Sequence, residues 1–469
     1  MSKIQYIAAG GFTTEQMDSI LKESFKVLNK IGILLDHDEI VKEIKKFKGI
    51  KVENNRIYYE YDLIEKYLNS AKKNNLKITS EKKEEKFSLS ASYLCLNILD
   101  HNTNEIRQSK ASDLVTVCKV CDVLGVNPRN FAPVEPTDTA LNTRALFTYK
   151  TTCECSQTMH RSTRISTYEE AKYLKEMAAV MGDNVPIGIQ FIVSPLKFDY
   201  IGLDLIYKGI KDKTYLVNAS CSPIPIAGVT APMFVPGGFV QTIAETLGAY
   251  IFISLLSEGR FGNTDFLRLD PFDMQYCNIS FGGPEWSLYH LMGRQLTKYL
   301  FGYEQLPGSF RTLAKLPDSQ ASAERISSVF TGALDGAVSF AGAGQMSIDE
   351  IFSLEQMVLD IEILRYVEHI VKGFEYAKED GLSFNTIKQI VDNKEEYLTH
   401  ETTQQYFQDM YWNPKVFKHW NLGQWTAAGS PTSTKMAKEI INEALKKHQY
   451  VPDAKKIKEL ERIYELASK

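Results

Sequence analysis

Between residues 130 and 347, short apolar or β-branched runs alternate eight times with stretches whose apolar positions recur at helical spacing. The strand-like runs are 131–134, 157–160, 187–193, 214–219, 266–269, 278–281, 309–313 and 337–341. The intervening pattern predicts helices over 143–152, 168–181, 200–211, 237–257, 285–302, 321–334 and 348–373. Strands joined through helices run parallel, because a helical crossover returns the chain to the same end of the sheet. Eight such units on about 200 residues fit a closed (β/α)8 TIM barrel better than an open sheet. Chemistry in that α/β fold sits on the loops after the strand C-termini.

The flanks break the alternation. Helices are predicted over 16–30, 39–47 and 61–71, with a hairpin at 51–52 and 56–58 turning on Asn54-Asn55. Short antiparallel strands are expected at 76–80, 87–89, 93–99 and 105–107, and a helix over 112–124 leads into the repeat. Beyond Gly373 come helices over 383–393, 432–447 and 454–467. The expected organisation is an N-terminal α+β extension (1–110), the barrel (111–375) and a helical C-terminal region (376–469). The aromatic tract 406–425 holds Trp412, Trp420 and Trp425. It is expected to join copies into a homo-oligomer, with an active-site lid as the alternative.

Composition narrows the class. A net charge of -4 and a pI near 6.1 lack the basic footprint of a nucleic-acid binder. No run reaches about 18 uninterrupted apolar residues, the length of a membrane span; 247–256 is expected to be a buried helix. Residues 1–11 lack the pattern of a signal peptide. Seven scattered cysteines fit a reducing compartment, so a cytoplasmic location is expected.

Several segments are recognisable. The 11–33 helix, Ile224-Pro-Ile-Ala-Gly-Val-Thr-Ala-Pro-Met233 and Phe281-Gly-Gly-Pro-Glu-Trp286 resemble the trimethylamine methyltransferase family of corrinoid-dependent enzymes. So do Leu316-Pro-Asp-Ser-Gln-Ala-Ser-Ala-Glu324, Gly332-Ala-Leu-Asp-Gly-Ala337, Phe340-Ala-Gly-Ala-Gly344 and Ser353-Leu-Glu-Gln356. The likeness runs over nearly the whole chain. It implies a barrel, a methylated amine as substrate, and a corrinoid (cobalamin) on a separate protein as methyl acceptor. The family's trimethylamine enzymes carry pyrrolysine, whereas every position here is a standard residue. The chain therefore resembles the non-pyrrolysine branch, the glycine betaine:corrinoid methyltransferases. A chemical reason supports that branch: a quaternary ammonium departs as a neutral tertiary amine without needing a proton.

The expected reaction moves a methyl group from glycine betaine to Co(I), giving dimethylglycine. Carnitine, proline betaine or choline as substrate, or a barrel that binds quaternary amines without catalysis, are the alternatives. A fixed cation is naturally held by aromatic faces, which makes Phe281, Trp286, Phe310 and Phe340 candidates beside their ordinary role as core. Glu135, after the first strand, could face the ammonium or be a loop acid. The substrate carboxylate calls for a guanidinium, offered by Arg161 or Arg311, with His160 as a further donor. Gln190 and Asn218 lie in strands three and four, and Asp318, Gln320 and Glu324 follow strand seven. Cys118 and Cys121 read as small core residues. Cys153 and Cys155 with His160 lack a second pair at zinc spacing, so no directly bound metal is expected.

Overall fold

The computed structural model describes the chain except residues 1, 5–6, 82–85, 92–93, 186, 262–263, 265, 377–380 and 382. Helix Thr14–Lys26 opens the main core. Thr13 and Gln16 cap it reciprocally, and Met17, Ile20 and Ser24 face inward. A wider turn, Val27–Ile31, extends it to Gly32, where φ is 70°. This unit lies on helix Val235–Leu256, whose Gly248 lets Leu28 and Ile33 approach the helix backbone; a Cβ there would stand 2.8 Å from Leu28 Cδ2. The predicted hairpin forms as Ile50–Glu53 and Arg56–Tyr59, with Asn54 and Asn55 both left-handed.

Helix Val235–Leu256 matches the helix predicted over 237–257 and contains the apolar run at 247–256. It is long and apolar enough to cross a membrane, yet 78% of its apolar window is buried inside this fold. Residues on all its sides are in contact with protein, as expected of a central core helix.

The parallel pairings form arcs. Gly308–Ser309 runs beside Ser339–Ala341, which runs beside Ser88–Ser90. Parallel bridges link Ser90 to Asn127 and Cys95 to Val134. Gly188–Gln190 pairs with Asn218–Ser220, and Ile226 bridges Asp270. The architecture is α/β, with strands of two to four residues between long helices. Among the described residues the arcs do not close into one ring, so the expected eight-strand closure is present only in part.

The local reasons are physical. The run 157–160 forms no ladder because Asp122 captures Gln157 N and Thr158 Oγ1 while Ser156 O faces His160 Nε2. Asn278–Ile279 folds back on Phe272–Asp273 as an antiparallel pair. Residues 76–80 continue helix Tyr61–Glu81, and Ser88–Ser90 is parallel rather than antiparallel. Tyr93, the start of the next expected strand, lies outside the described residues.

Two polar contacts brace the later half. Arg325, on helix Ser319–Leu334, meets Asp360, on helix Leu354–Lys372, at 2.8 Å with both side chains fully buried. Burial pushes the Asp360 carboxyl up to about 6, against the pull of Arg325, Gly344 N and the Gln356 amide. His101 Nδ1 lies 2.7 Å from Glu355 Oε1, and its Nε2 faces Asn442 on helix Ser433–Lys447. The bond from Glu355 raises His101 above its ordinary 6.5. Burial alone would raise Glu355, but His101, the backbone and Ser353 outweigh it and hold the carboxyl below its ordinary 4.5.

The signs give a pH window. His101 stabilises fully below its unfolded pKa and loses that contribution as pH rises through its raised folded value; Glu355 loses its own as pH falls below about 4.5. Calorimetry across pH should show Tm declining as pH climbs past about 6.5, the unfolded value of His101. His101→Gln should remove that alkaline decline; an unchanged profile would refute the assignment.

Candidate functional site

One group of charged and aromatic side chains gathers where the chain leaves several strand-like runs. Phe281 is followed by Gly282 and Gly283, and Pro284 then starts helix Pro284–Phe301. Gly282 has φ 79°, and a Cβ on it would stand 2.8 Å from Arg311 O and 3.0 Å from Glu324 Cβ. Glycine is required there on both counts. The close approach sets the Arg311 guanidinium 4.3 Å from the centre of the Phe281 ring, a cation–π distance. Arg268 lies 5.9 Å from the same ring and pairs with Asp270.

One turn into the helix, buried Trp286 contacts His290 at 4.7 Å between ring centres, and Phe266 lies 4.8 Å from His290 on another side. Burial, followed by the fields of Arg294, Arg268 and Arg311, pushes His290 well below the usual imidazole range. It is a neutral imidazole, and its buried Nε2 has no hydrogen-bond partner.

Asp349 completes the group. Its Oδ2 stands 3.4 Å from Arg311 Nη2, and Arg311, Arg268 and Arg164 all act on its charge. Burial nevertheless raises the carboxyl, assisted by Asp270. The backbone of Ser347, Ile348 and Asp349 is left-handed throughout, with φ of 49°, 56° and 79°. Ser347 N and Ile348 N donate to Ala314 O and Thr312 O, tying the turn to the segment after Arg311. Two guanidiniums and two carboxylates thus gather beside the Phe281 ring, within the field of exposed Arg164.

Of the residues singled out in the sequence, Phe281, Trp286 and Arg311 meet here. Phe310 and Phe340 do not: they pack edge to face at 6.1 Å inside a cluster with Val329, Ile363 and Val367. Glu135 pairs with Arg144 at 2.9 Å and belongs to a loop anchor with Thr137 and Thr139. Glu324 accepts from Thr312 Oγ1, Leu313 N and the Gln320 amide, fixing the strand exit, while Asp318 caps its helix. Gln190 donates to Ile192 O at 3.5 Å, and Asn218 pairs opposite Gly188. Cys118 and Cys121 are buried, with Cys121 Sγ against Met357 Sδ.

His160 and Arg161 lie in a different cluster. His160 Nδ1 stands 2.8 Å from Asp183 Oδ2, and Tyr149 donates to the same oxygen at 2.6 Å. Arg161 donates to His160 O and Arg129 O. Asp183 follows helix Tyr168–Met181, so this cluster sits where a strand begins, not where one ends. The extended run is shifted toward the C-terminus: Ala132 N donates to Ser162 O, and the charge of exposed Arg164 is felt at Asp349. Cys153, His160 and Asp183 bring three ligand-type atoms within 4.8 Å of one another. Both His160 nitrogens already face oxygens, and burial pushes the Cys153 thiol up, which works against a thiolate ligand.

Arg164, Arg268, Asp270, His290 and Asp349 were not singled out in the sequence. Arg268 and Asp270 did carry a signal, as charges spaced by two at the end of an apolar run. Asp349 carried none, since Ser347-Ile-Asp-Glu350 has the form of a helix start.

The trimethylamine methyltransferase (MTTB) family matches residues 5–462. Trimethylamine methyltransferase MttB of Methanosarcina barkeri (strain Fusaro / DSM 804) is 28% identical over 281 residues, covering 59% of this chain and 54% of that one. The chain spans about half the length of the Methanosarcina relatives it matches. Glycine betaine methyltransferase of Desulfitobacterium hafniense (strain Y51) is 23% identical over 428 residues, covering 86% of each chain. The solved monomethylamine methyltransferase (MtmB) of Methanosarcina barkeri superposes with a TM-score of 0.45 at 13% identity, over 97% of this chain and 89% of that one. With its family match running almost from end to end, this chain belongs to the trimethylamine methyltransferase family.

Proposed function

We propose that this chain transfers a methyl group from a carboxylated quaternary amine, with glycine betaine as the leading substrate, to the Co(I) of a corrinoid held by a partner protein. The observation that carries the reading is the mixed cluster itself: Phe281 beside Arg268 and Arg311, Asp349 beside Arg311, and Trp286 against a His290 that feels both arginines. A zwitterion needs both charges answered within one small volume, and a simple methylamine does not. The all-standard sequence and the relative named glycine betaine methyltransferase support the same reading.

In this reading the methyl carbon leaves nitrogen as its bond to cobalt forms. The C–N electron pair stays on nitrogen and the new bond draws its pair from Co(I), so no proton is required. The chain's own residues bind and orient. Arginines fix the carboxylate and aromatic faces bear on the trimethylammonium group, and holding the substrate in one pose lowers the barrier by orientation. Neutral His290 adds no competing charge beside the cation. The same proposal places the parallel arcs in one (β/α)8 barrel over 111–375, flanked by the 1–110 extension and the 376–469 helical region, in a cytoplasmic homo-oligomer.

The test is a visible spectrum of cob(I)alamin, kept reduced, with the purified protein. Conversion of the Co(I) bands to those of methyl-Co(III) is expected with glycine betaine and not with trimethylamine. Conversion with trimethylamine alone would overturn the reading. Carnitine, proline betaine and choline in the same cuvette separate a different quaternary amine from a protein that binds without transfer.

A further inference from the structure

A quaternary ammonium offers no N–H. Its charge is met only by aromatic faces and by an anion that needs no hydrogen bond in return. Among the described residues of the cluster, one buried carboxylate oxygen has no partner: Oδ1 of Asp349. Bare buried oxygens are rare because a lost hydrogen bond to water goes unreplaced. This one stays bare although cations surround it. Arg311 Nη2 stands 3.4 Å from the other oxygen, which is long for a charge-assisted bond. Arg268 is engaged by Asp270.

The backbone explains why the carboxylate does not close on Arg311. Three successive non-glycine residues are left-handed, including β-branched Ile348, for which that region is a true outlier. Such a turn persists only where its surroundings over-determine it, and outliers of this kind gather at ligand clamps. Here the bonds to Ala314 O and Thr312 O, together with Ser347 Oγ donating to Glu350, fix it.

We propose that Asp349 is the anion that meets the ammonium of a zwitterionic substrate, held off Arg311 by the left-handed turn so that one oxygen stays open. This rests on the quaternary-amine reading and assigns that site a specificity-determining residue. Its contribution has a definite sign. Nitrogen loses its positive charge as the methyl departs, so Asp349 favours the bound substrate over the transition state; it lowers KM and gives no help to kcat.

The test compares glycine betaine with tert-butylacetate (3,3-dimethylbutanoate), the isosteric anion with a neutral quaternary carbon in place of the ammonium, by calorimetric titration of the full chain. The wild type is expected to prefer glycine betaine by about tenfold or more, and Asp349→Asn to bind the two within about threefold. Asp349→Ala, which removes both oxygens, should narrow the preference in the same way, so the test does not hang on one variant. In the transfer assay, Asp349→Asn should raise KM about tenfold or more with kcat level or higher. The same preference in wild type and both variants, or no preference in the wild type, overturns the proposal. Transfer by Asp349→Asn at unchanged KM also overturns it and leaves the function standing. A preference lost in the variants, with no transfer by the wild type, overturns the function and supports the role of Asp349.

Discussion

Arg311→Gln should lower kcat/KM for glycine betaine by about 100-fold, while Arg161→Gln changes it by less than about twofold. The two arginines looked equivalent in the sequence, and the structure separates them. Arg311 stacks on Phe281 and faces Asp349; Arg161 donates to two backbone carbonyls at the far end of its segment. Losing a buried guanidinium that binds a carboxylate costs about 2–5 kcal/mol, and about 3 kcal/mol corresponds to the stated factor. Gln keeps two donors but neither the charge nor the flat face against the ring. Choline lacks the carboxylate and should lose at least about tenfold less. Initial rates of cob(I)alamin methylation with both substrates decide it; equal losses would exclude a carboxylate clamp at Arg311.

Asp360→Ala should destabilise the fold by about 3–5 kcal/mol, the largest effect expected of any single change to a buried charge here. Arg325 would then be fully buried with its charge uncompensated. Gly344 N would also lose its acceptor, as would the Gln356 amide. The cost belongs to the broken pair and not to ion pairing in general, so Arg325→Met combined with Asp360→Leu should recover much of it. Urea denaturation of the three proteins measures this; a double variant as unstable as Asp360→Ala would contradict it.

The helices were legible in the sequence wherever one face had to be apolar. Tyr168–Met181, Tyr200–Lys211 and Ala454–Ala467 match the periodic pattern to the residue. Strands fared worse because their register depends on partners far away in sequence. The extended run carrying Arg164 starts later than its apolar content suggests, since Asp122 and Ser156 draw residues 157–160 into a local network. That shift moves His160 and Arg161 away from the cluster. Phe310 and Phe340 turned inward because Gly308 leaves a hollow that the Phe340 ring fills. Phe281, Trp286 and Arg311 were readable as site candidates because glycines and a proline mark the loop beside them. Asp349 was hidden: a left-handed turn in non-glycine residues leaves no trace in composition.

The last two helices add a constraint on how the molecule is made. Ser433–Lys447 buries Ala437, Ile441 and Ala444 in the core shared with helices Ala111–Leu124 and Leu354–Lys372. Ala454–Ala467 inserts Leu460 and Ile463 beside helices Arg144–Cys155 and Tyr168–Met181. The surfaces on Ala111–Leu124, Arg144–Cys155 and Tyr168–Met181 are synthesised more than two hundred residues earlier. At a translation rate of about 5–20 residues per second they stay uncovered for roughly 10–60 seconds, until these two helices have left the ribosome. During that interval the nascent protein carries two greasy faces at once, and its yield depends on whether chaperones shield them.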